Sequence, residues 1–520
     1  MTTAAHTTTG TEPDKSTTAG KLADLRARLA ETQAPMGQAS IDRVHDNGKL
    51  TARERIEFLL DDGSFVEIDA LARHRSKNFG LDSRRPVTDG VVTGYGTIDG
   101  RKVCVFSQDG AIFGGALGEV YGEKIVKIMD LAIKTGVPII GIHEGAGARV
   151  AEGIVTLSMY SRILARTTTA SGLIPQIAVV AGHTEGLHAL APVFSDVVVM
   201  VEDGGSLHLA ATDVVEKVTG TAATPESLGS AAVHATTSGT AHFTAPTDLD
   251  ALALVKDVVS YLPANNRAEA PRPETGASLA VNATDLELDS LIPDSDAHTY
   301  DMHDVIRRVV DEGALLELQA GYAANIITGF ARVEGRSVGV VANQPTELAG
   351  CLDSLSAEKA ARFIRTCDAF NLPVVEFVDS PGFLPGQAEE HGGVLRRGAK
   401  LAYAYAEASV GKVTVITRKA IGPSYVLMGS KDLGADLVFA WPTAEIAVTG
   451  APAAVAAIDG GIDEQTYAEN YINPYLAAER SLVDAVIEPS TTRAQLIEGL
   501  RLLDRKVIQQ PAKKHGNIPL

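Results

Sequence analysis

The chain has 520 residues, 45% hydrophobic and 21% charged, the composition of a globular protein too long for one hydrophobic core. Its formal net charge of -19 excludes a nucleic acid or an anionic membrane surface as its main partner. The three cysteines form no C-x-x-C pair, and no segment approaches about 18 apolar residues, so neither a zinc site, a disulfide framework nor a membrane span is predicted. Because the N-terminus lacks an apolar signal core, we expect a cytoplasmic protein. Since no C-x-x-C pair is present, we also expect no metal in this chain.

The predicted elements begin behind an N-terminal tail. Residues 1–20 are rich in Thr and Ala without an apolar period, which predicts disorder. Residues 21–32 carry leucines at helical spacing and predict a docking helix, and residues 50–60 predict a second amphipathic helix. A glycine-rich strand at 91–99 begins the first β/α domain, for which we expect the bounds 21–265.

Two glycine-containing loops of this domain are candidate binding sites. One follows a strand at 103–106, and the other is the run HEGAGARVAEG at 143–153, which we expect to place an arginine at the mouth of the next helix. Because a missing side chain lets a ligand approach the backbone, such loops suit phosphate or thioester contacts. The candidate residues are Gly114, Gly115, Gly145, Ala146, Gly147, Ala148 and Arg149.

A linker and a second domain complete the chain. Residues 266–298, rich in Pro, Asn and Asp, predict the linker, and residues 299–520 the second domain. In that domain an unbroken β-branched run at 413–417 is typical of a buried parallel strand. A turn at 421–423 follows, and then a helix beginning near Ser424, which can cap it. Backbone N–H groups at such a helix entrance can hold a developing oxyanion, although an ordinary strand–helix turn is the alternative.

The two domains share an ordered series of matching residues. At a shift of 235 or 236 positions, the matches are Glu123 with Glu358, Pro138 with Pro373, Gly147 with Gly382 and Gly186 with Gly422. The predicted strands and helices fall in the same rhythm in both halves. The series therefore predicts two copies of one β/α domain, each with a strand–turn–helix oxyanion loop.

Five stretches of the chain resemble one known family. They are VFSQDGAIFGGALGEVYGEK, VANQPTELAGCLDSLSAEKAARFIRTCDAFNLPV, FVDSPGFLPG, LRRGAKLAYAYAEA and SKDLGADLVFAWPTAEIAV. The family is the carboxyltransferase (β) subunit of biotin-dependent acyl-CoA carboxylases, of the propionyl-CoA carboxylase type. The resemblance implies an α/β protein of two tandem crotonase-like (ClpP/crotonase) β-β-α superhelix domains related by internal duplication. It also implies a homohexamer whose active site lies between the first domain of one subunit and the second domain of its partner.

The resemblance further implies the reaction. A carboxyl group moves from carboxybiotin to the α-carbon of an acyl-CoA, through enolates held by backbone oxyanion holes. Acyl-CoA is expected on the first domain, and biotin arrives on a biotin carboxylase/biotin carrier subunit at the second. By position, the thioester donors are Gly186 and Leu187, and the biotin donors lie in Gly422-Pro423-Ser424.

The site loops depart from the family pattern. The family commonly has two glycines where this chain has Gly186 and Leu187. Its second loop commonly reads Gly-Gly-Ala, whereas here the middle residue is Pro423, which has no N–H, so that Tyr425 becomes a candidate donor. Losing one oxyanion donor typically costs about 10²–10³ in kcat. A common acidic residue is replaced by Val426, which predicts a more apolar acyl pocket.

Two other functions stay open. A biotin-independent decarboxylase of a carboxylated acyl thioester, or of a similarly activated acid, needs one oxyanion hole and a proton donor. His183 or His188, beside Gly186, would be that donor, and ordinary hydrogen-bonded packing is the alternative for both histidines. The other function is that of a non-catalytic scaffold subunit in a carboxylase complex.

Overall fold

A computed structural model describes residues 14–276, 278–295, 298–458 and 461–519. Within these ranges, sixteen strands form two eight-stranded sheets. The strands of the first sheet are β1 (Val66–Ile68), β2 (Val91–Ile98), β3 (Arg101–Gln108), β4 (Ile139–Gly145), β5 (Gln176–Glu185), β6 (Val197–Val201), β7 (Ser206–His208) and β8 (Phe243–Ala245). Those of the second are β9 (Leu315–Leu318), β10 (Ile326–Val333), β11 (Arg336–Asn343), β12 (Val374–Ser380), β13 (Lys412–Ile421), β14 (Leu437–Ala440), β15 (Glu445–Ala447) and β16 (Ala485–Val486).

The two sheets have the same topology. The first runs β1-β2-β3-β4-β5-β6-β8 with β7 paired to β5, and the second runs β9-β10-β11-β12-β13-β14-β16 with β15 paired to β13. In each sheet the first three strands are antiparallel and the later pairings are parallel. The strands match one for one, so the duplication predicted from the sequence is present in the fold.

The helices cover both sheets. Those of the first half are α1 (Thr18–Glu31), α2 (Gln38–Asp46), α3 (Ala52–Leu59), α4 (Glu119–Thr135), α5 (Val155–Ala170), α6 (Leu190–Val193), α7 (Thr212–Thr219), α8 (Pro225–Gly229), α9 (Ala231–Thr236) and α10 (Asp248–Tyr261). Those of the second half are α11 (Ala283–Leu286), α12 (Met302–Val309), α13 (Ser354–Ala369), α14 (Gln387–Gly392), α15 (Val394–Glu407), α16 (Pro423–Leu427), α17 (Ala451–Ala457), α18 (Glu464–Tyr471), α19 (Pro474–Glu479) and α20 (Thr492–Leu503). Among the described residues, every helix is too short or too polar to span a lipid bilayer.

The duplication extends to buried polar contacts. Nζ of Lys124 donates to the carbonyl of Val91, and Nζ of Lys359 donates to the carbonyl of Ile326 at 2.8 Å. Both pairs of positions differ by 235 residues. Burial disfavours the charged ammonium and lowers the pKa of each lysine to about 8. The two halves therefore tie their central helices, α4 and α13, to the sheets in the same way.

Two of the predicted segments contain helical residues in the structure. Helix α1 begins at Thr18, so residues 18–20 of the predicted disordered tail are helical, while residues 1–13 lie outside the described residues. The predicted linker, residues 266–298, contains helix α11, and its Leu288 is buried in the core of the second half. Residues 277, 296 and 297 of that linker lie outside the described residues.

The two halves also pack directly against each other. The ring of Tyr261, at the end of α10, stacks on Phe330 of β10 with 6.0 Å between centroids. The guanidinium of Arg332 lies 4.0 Å from the centre of the same tyrosine ring. A single hydrophobic cluster includes residues from both sheets. Each half therefore has its own sheet, while part of the core is shared.

Candidate active site

Each sheet has one tight turn at the end of its longest parallel strand. After β5 the chain turns at Gly186, with φ 66°, into a short 3₁₀ helix, Gly186–Ala189. After β13 it turns at Gly422, with φ 59° and ψ -130°, into α16. Positive φ strains any residue with a side chain, so both positions favour glycine. The two turns lie at equivalent positions of the two sheets, 236 residues apart in the sequence.

The second turn presents amide groups from the first turn of α16. Pro423 is the first residue of this helix, followed by Ser424 and Tyr425. Amides of a first turn have no acceptor within the helix, and proline has no amide hydrogen to offer. The N–H of Gly422 donates to the carbonyl of Ala447 at 2.9 Å. The first-turn amides of α16 that lack an acceptor within the helix are therefore those of Ser424 and Tyr425.

The side chain of Ser424 does not cap α16, contrary to the sequence prediction. Its hydroxyl is fully buried and lies 2.9 Å from the carbonyl oxygen of Ser380 and 2.8 Å from that of Ile421. Since Ser380 ends β12, this contact fastens the turn to the neighbouring strand. The next residues have different environments: Tyr425 packs against the core, and Val426 is 47% exposed.

His188 occupies the position beneath the first turn that Ser424 occupies beneath the second. Its side chain is buried, and Nδ1 lies 3.1 Å from the hydroxyl oxygen of Tyr160. The ring fills the space beside Gly145, where an added Cβ would come within 2.7 Å of Cε1. Burial lowers the pKa of His188 to about 4, so the imidazole is neutral at pH 7. The His188 ring therefore packs against the loop that contains Gly145.

The two glycine loops of the first half line one cleft. Its volume is about 400 Å³, and its lining includes Gly114, Ala146, His183 and Glu144. Gly115 lies behind this surface, because an added Cβ would be 2.3 Å from the carbonyl oxygen of Glu144. The structure thus brings together the predicted residues on the exposed side of both loops.

Two further loop residues have packing positions. Gly147, with φ 73°, accepts a hydrogen bond from Leu117 at 2.9 Å and lies against Gly186. Ala148 pairs with Leu117 in an isolated parallel bridge. The loop is therefore fastened to the segment that precedes α4 and rests on the first turn.

Arg149 directly precedes the 3₁₀ helix Val150–Glu152, at the predicted place in the chain, but its side chain is buried. Its side chain is only 4% exposed, and Nη1 lies 2.7 Å from the carboxylates of both Asp89 and Glu152. The guanidinium also stacks 4.4 Å above the ring of Phe113. Because two carboxylates already hold this charge inside the protein, the Arg149 guanidinium is not available to meet a phosphate at the helix entrance.

Three side chains with metal-binding groups share one face of β5 and β7. His183 lies opposite Ser206 in the parallel pair, and Glu185 lies opposite His208. Nε2 of His183 is 3.3 Å from Oε2 of Glu185, and one ligand atom from each of the three side chains lies within 4.8 Å of the others. The sequence analysis missed His208 because the register of β7 against β5 cannot be read from the chain. The available signal was the pair of short motifs His-x-Glu and Leu-His at the ends of the two strands.

Known proteins show which family contains this pair of domains. Residues 43–518 match the model of the Carboxyl transferase domain. The chain belongs to the carboxyl transferase domain family. The predicted family, the two crotonase-like domains and the carboxyltransferase activity are thereby confirmed, and the chain is an enzyme of the biotin-dependent carboxylase class.

Members of the carboxyl transferase domain family align with almost the whole chain. The biotin-dependent acetyl-/propionyl-coenzyme A carboxylase beta5 subunit of Mycobacterium tuberculosis is 56% identical over 98% of this chain and 96% of its own length. The methylmalonyl-CoA decarboxylase subunit alpha of Veillonella parvula is 48% identical over 96% of this chain and 99% of its own. A transcarboxylase 12S structure with hydrolysed methylmalonyl-coenzyme A bound has a TM-score of 0.94 and 43% identity, covering 97% of this chain and 99% of its own.

Proposed function

We propose that this chain is the subunit that transfers a carboxyl group from carboxybiotin, carried on a biotin carboxylase/biotin carrier partner, to the α-carbon of an acyl-CoA. The observation that supports the proposal is the repeated strand–turn–helix unit, with a glycine of positive φ at two equivalent turns of one chain. Negative charge develops on the oxygens of two different molecules in this reaction, and each oxygen needs its own preorganised donors.

The first turn is the proposed thioester site. The amides of Gly186 and Leu187 would donate to the thioester oxygen, so that the α-proton becomes acidic and an enolate can form. The coenzyme A part would lie in the cleft lined by Gly114 and Ala146, where small residues leave the backbone open to the ligand. No acidic or nucleophilic side chain is needed for this role, since the donors are backbone groups.

The second turn is the proposed biotin site. Bound carboxybiotin supplies the carboxyl group and a base for the α-proton. The amides of Ser424 and Tyr425 fit its ureido oxygen, because both belong to the first turn of α16. The exposed side chains of Pro423 and Val426 give this entrance an apolar surface. The first turn of α16 can therefore hold biotin with two amide donors. A glycine in place of Pro423 would add a third.

We propose a cytoplasmic homohexamer in which the first turn of one subunit faces the second turn of another. The transcarboxylase 12S structure is described as a hexamer assembly, and its chain superposes on this one almost throughout. In the single chain, α1 leaves Leu22, Leu25 and Leu29 more than 40% exposed, which supports the predicted docking role of this helix. The three cysteines are free thiols, as in a reducing compartment.

The test is carboxylation with labelled bicarbonate. The full-length chain would be incubated with ATP, a biotinylated partner subunit and acetyl-, propionyl- or butyryl-CoA, and the label in acid-stable product measured. We expect incorporation that requires both the biotinylated partner and this chain, and that avidin abolishes. Label-free product with every acyl-CoA, together with biotin-independent CO₂ release from malonyl-type thioesters, would contradict the proposal.

A biotin-independent decarboxylase is the second candidate, favoured by the missing donor at Pro423 and by His183. The His183 side chain is 38% exposed and lines the cleft beside the first turn, where it can donate a proton. His188 is buried and neutral and is less suited to that role. For this candidate, His183→Ala should lower CO₂ release by about 10²-fold or more. Absence of both activities in the intact protein would favour the scaffold function.

A further inference from the structure

The side chains of His183, Glu185 and His208 bring three possible metal-ligand atoms within 4.8 Å of one another. We infer that these three residues bind a divalent transition-metal ion, for which Zn²⁺ is the probe of choice. Two imidazoles and one carboxylate are the protein ligands of several zinc sites that keep an open coordination position. The same set holds Fe²⁺ in other enzymes.

His208 is the first reason for this inference. Its side chain is only 7% exposed, and Nδ1 lies 2.8 Å from the carbonyl oxygen of Ala210. Since a carbonyl can only accept, Nδ1 carries the hydrogen and Nε2 keeps a lone pair. That buried Nε2 finds no hydrogen-bond partner among the described residues. A bound cation would satisfy this nitrogen.

One ring nitrogen of His183 is likewise held by a neighbouring atom, while the other faces a carboxylate. Its Nδ1 lies 2.9 Å from the hydroxyl oxygen of Ser206, which leaves Nε2 directed toward the Glu185 carboxylate. Histidines that bind metals commonly use the other ring nitrogen to bond a carbonyl, carboxylate or water, and this contact fixes the orientation of the ring. Both histidines of the group are held in this way by atoms of β7 and the residues that follow it.

The distances allow a metal to be bound after small side-chain movements. One ligand atom of each residue lies within 4.8 Å of the others. Ligand atoms about 2.0–2.2 Å from zinc are roughly 3.4 Å apart in a tetrahedron, so the widest pair has to close by roughly 1.4 Å. Glu185 and His183 are partly exposed, so rotation of their side chains can supply this movement. The remaining coordination position would open toward the cleft that His183 lines.

The second half of the chain shows that the fold alone does not create this group. In the pair β13 and β15, the positions equivalent to Glu185 and His208 are Ile421 and Ala447, which lie opposite each other in the same register. Neither side chain has a metal-binding atom. The ligand set therefore belongs to the first half, beside the turn proposed to bind the thioester, although metal binding does not depend on that function.

The inference is tested by metal binding to the untagged, full-length protein after removal of metals with a chelator. Zn²⁺ would be titrated in competition with a chromophoric chelator, and Co²⁺ would be added separately to record its visible spectrum. We expect one tight site per chain. His183→Ala, Glu185→Gln and His208→Ala should each weaken zinc binding at least by the roughly 10–100-fold that loss of an outer partner already costs.

The matched control is His45→Ala. His45 forms an exposed pair with Glu54 at 3.0 Å in the same half of the chain, and its removal should leave zinc binding unchanged. Should His208→Ala fail to fold, the two variants at the partly exposed positions carry the test. Wild-type binding no tighter than that of His183→Ala and Glu185→Gln, or a Co²⁺ spectrum identical in all three proteins, would overturn the inference.

Discussion

The turn after β5 and the turn after β13 have the same place in their sheets but different side chains around them. The residue that follows the glycine is Leu187 at the first turn and Pro423 at the second. Beneath the first turn lies the neutral imidazole of His188, and beneath the second lies the hydroxyl of Ser424. A duplicated fold can thus repeat a backbone turn while the side chains packed beneath it differ.

The difference is chemical as well as steric. Titratable and metal-binding side chains, His183 and Glu185, stand beside the first turn, whereas Pro423 and Val426 stand at the second. Charge on a thioester oxygen and charge on a ureido oxygen can both be held by N–H groups, so neither site requires the side chains of the other. The substitutions below test whether the two turns have the same backbone role while their side chains have different roles.

The largest effect is expected from Gly422→Ala. The backbone there has φ 59° and ψ -130°, and an added Cβ would lie 3.1 Å from the carbonyl oxygen of Val448. Strain would displace the donors of α16, and we expect kcat for carboxylation to fall by about 10²–10³. At Gly186 the added Cβ would meet nothing closer than Gly147, at 4.0 Å, so Gly186→Ala should cost less. Equal losses in the labelled-bicarbonate assay would contradict this difference between the turns.

Pro423→Gly should make the second turn resemble the first. The change adds one N–H at the entrance of α16, and we expect biotin-dependent carboxylation to rise by about tenfold. Pro423→Ala also adds the N–H without the flexibility of glycine, so a similar rise in both variants would assign the effect to the donor. If the protein works as a decarboxylase from the first turn alone, CO₂ release should stay nearly unchanged in both.

The buried supports of the two turns should respond differently to acid. Burial lowers the pKa of His188 to about 4 in the folded protein, against 6.5 for an exposed histidine. The unfolded chain therefore binds this proton first, and the contribution of neutral His188 is complete above pH 6.5 and is lost as the pH falls toward 4. Between pH 6.5 and 5 this loss is about 2 kcal/mol.

Denaturant unfolding at several pH values checks that expectation. His188→Gln should make the free energy of unfolding less dependent on pH in this window, whereas Ser424→Ala should leave the slope unchanged, since a hydroxyl does not titrate there. The buried His143 and His242, whose pKa values are lowered to about 3 by burial, retain their own acid sensitivity in both variants. An unchanged slope in His188→Gln would contradict the lowered pKa of His188 in the folded protein.

The smallest effect is expected at Val426, which is 47% exposed on the first turns of α16. If this side chain borders the acyl pocket, Val426→Asp should change the relative kcat/KM values for acetyl-, propionyl- and butyryl-CoA by about tenfold. Val426→Ala is the control for size without charge. The same ranking in all three proteins would remove Val426 from the pocket.

The sequence predicts the scaffold of both half-sites because the signals are local. The β-branched run at 413–417 predicts strand β13, and the glycines at 186 and 422 predict the turns that follow β5 and β13. The repeat then places the two turns at equivalent positions without any knowledge of contacts. These features depend on residues that are neighbours in the chain.

The failures of prediction at the candidate site concern contacts between residues distant in the sequence. Arg149 is buried because Asp89, sixty positions earlier, supplies a carboxylate inside the protein. The hydroxyl of Ser424 bonds Ser380 of the neighbouring strand instead of capping its own helix. His208 joins the first half-site only through the register of β7 on β5. A single sequence does not contain the pairing that decides these positions.

In the proposed homohexamer, one active site combines the first turn of one subunit with the second turn of another. This combination is tested by mixing Gly186→Val and Gly422→Val chains, each of which should be inactive alone, because a β-branched residue at positive φ is a severe outlier. Differently tagged chains would be coexpressed, mixed oligomers isolated through both tags, and their carboxylation measured. For random assembly of a symmetric oligomer, we expect about a quarter of wild-type activity, since about one site in four then receives two intact turns. Mixed oligomers that form normally but stay inactive would contradict an active site shared between subunits.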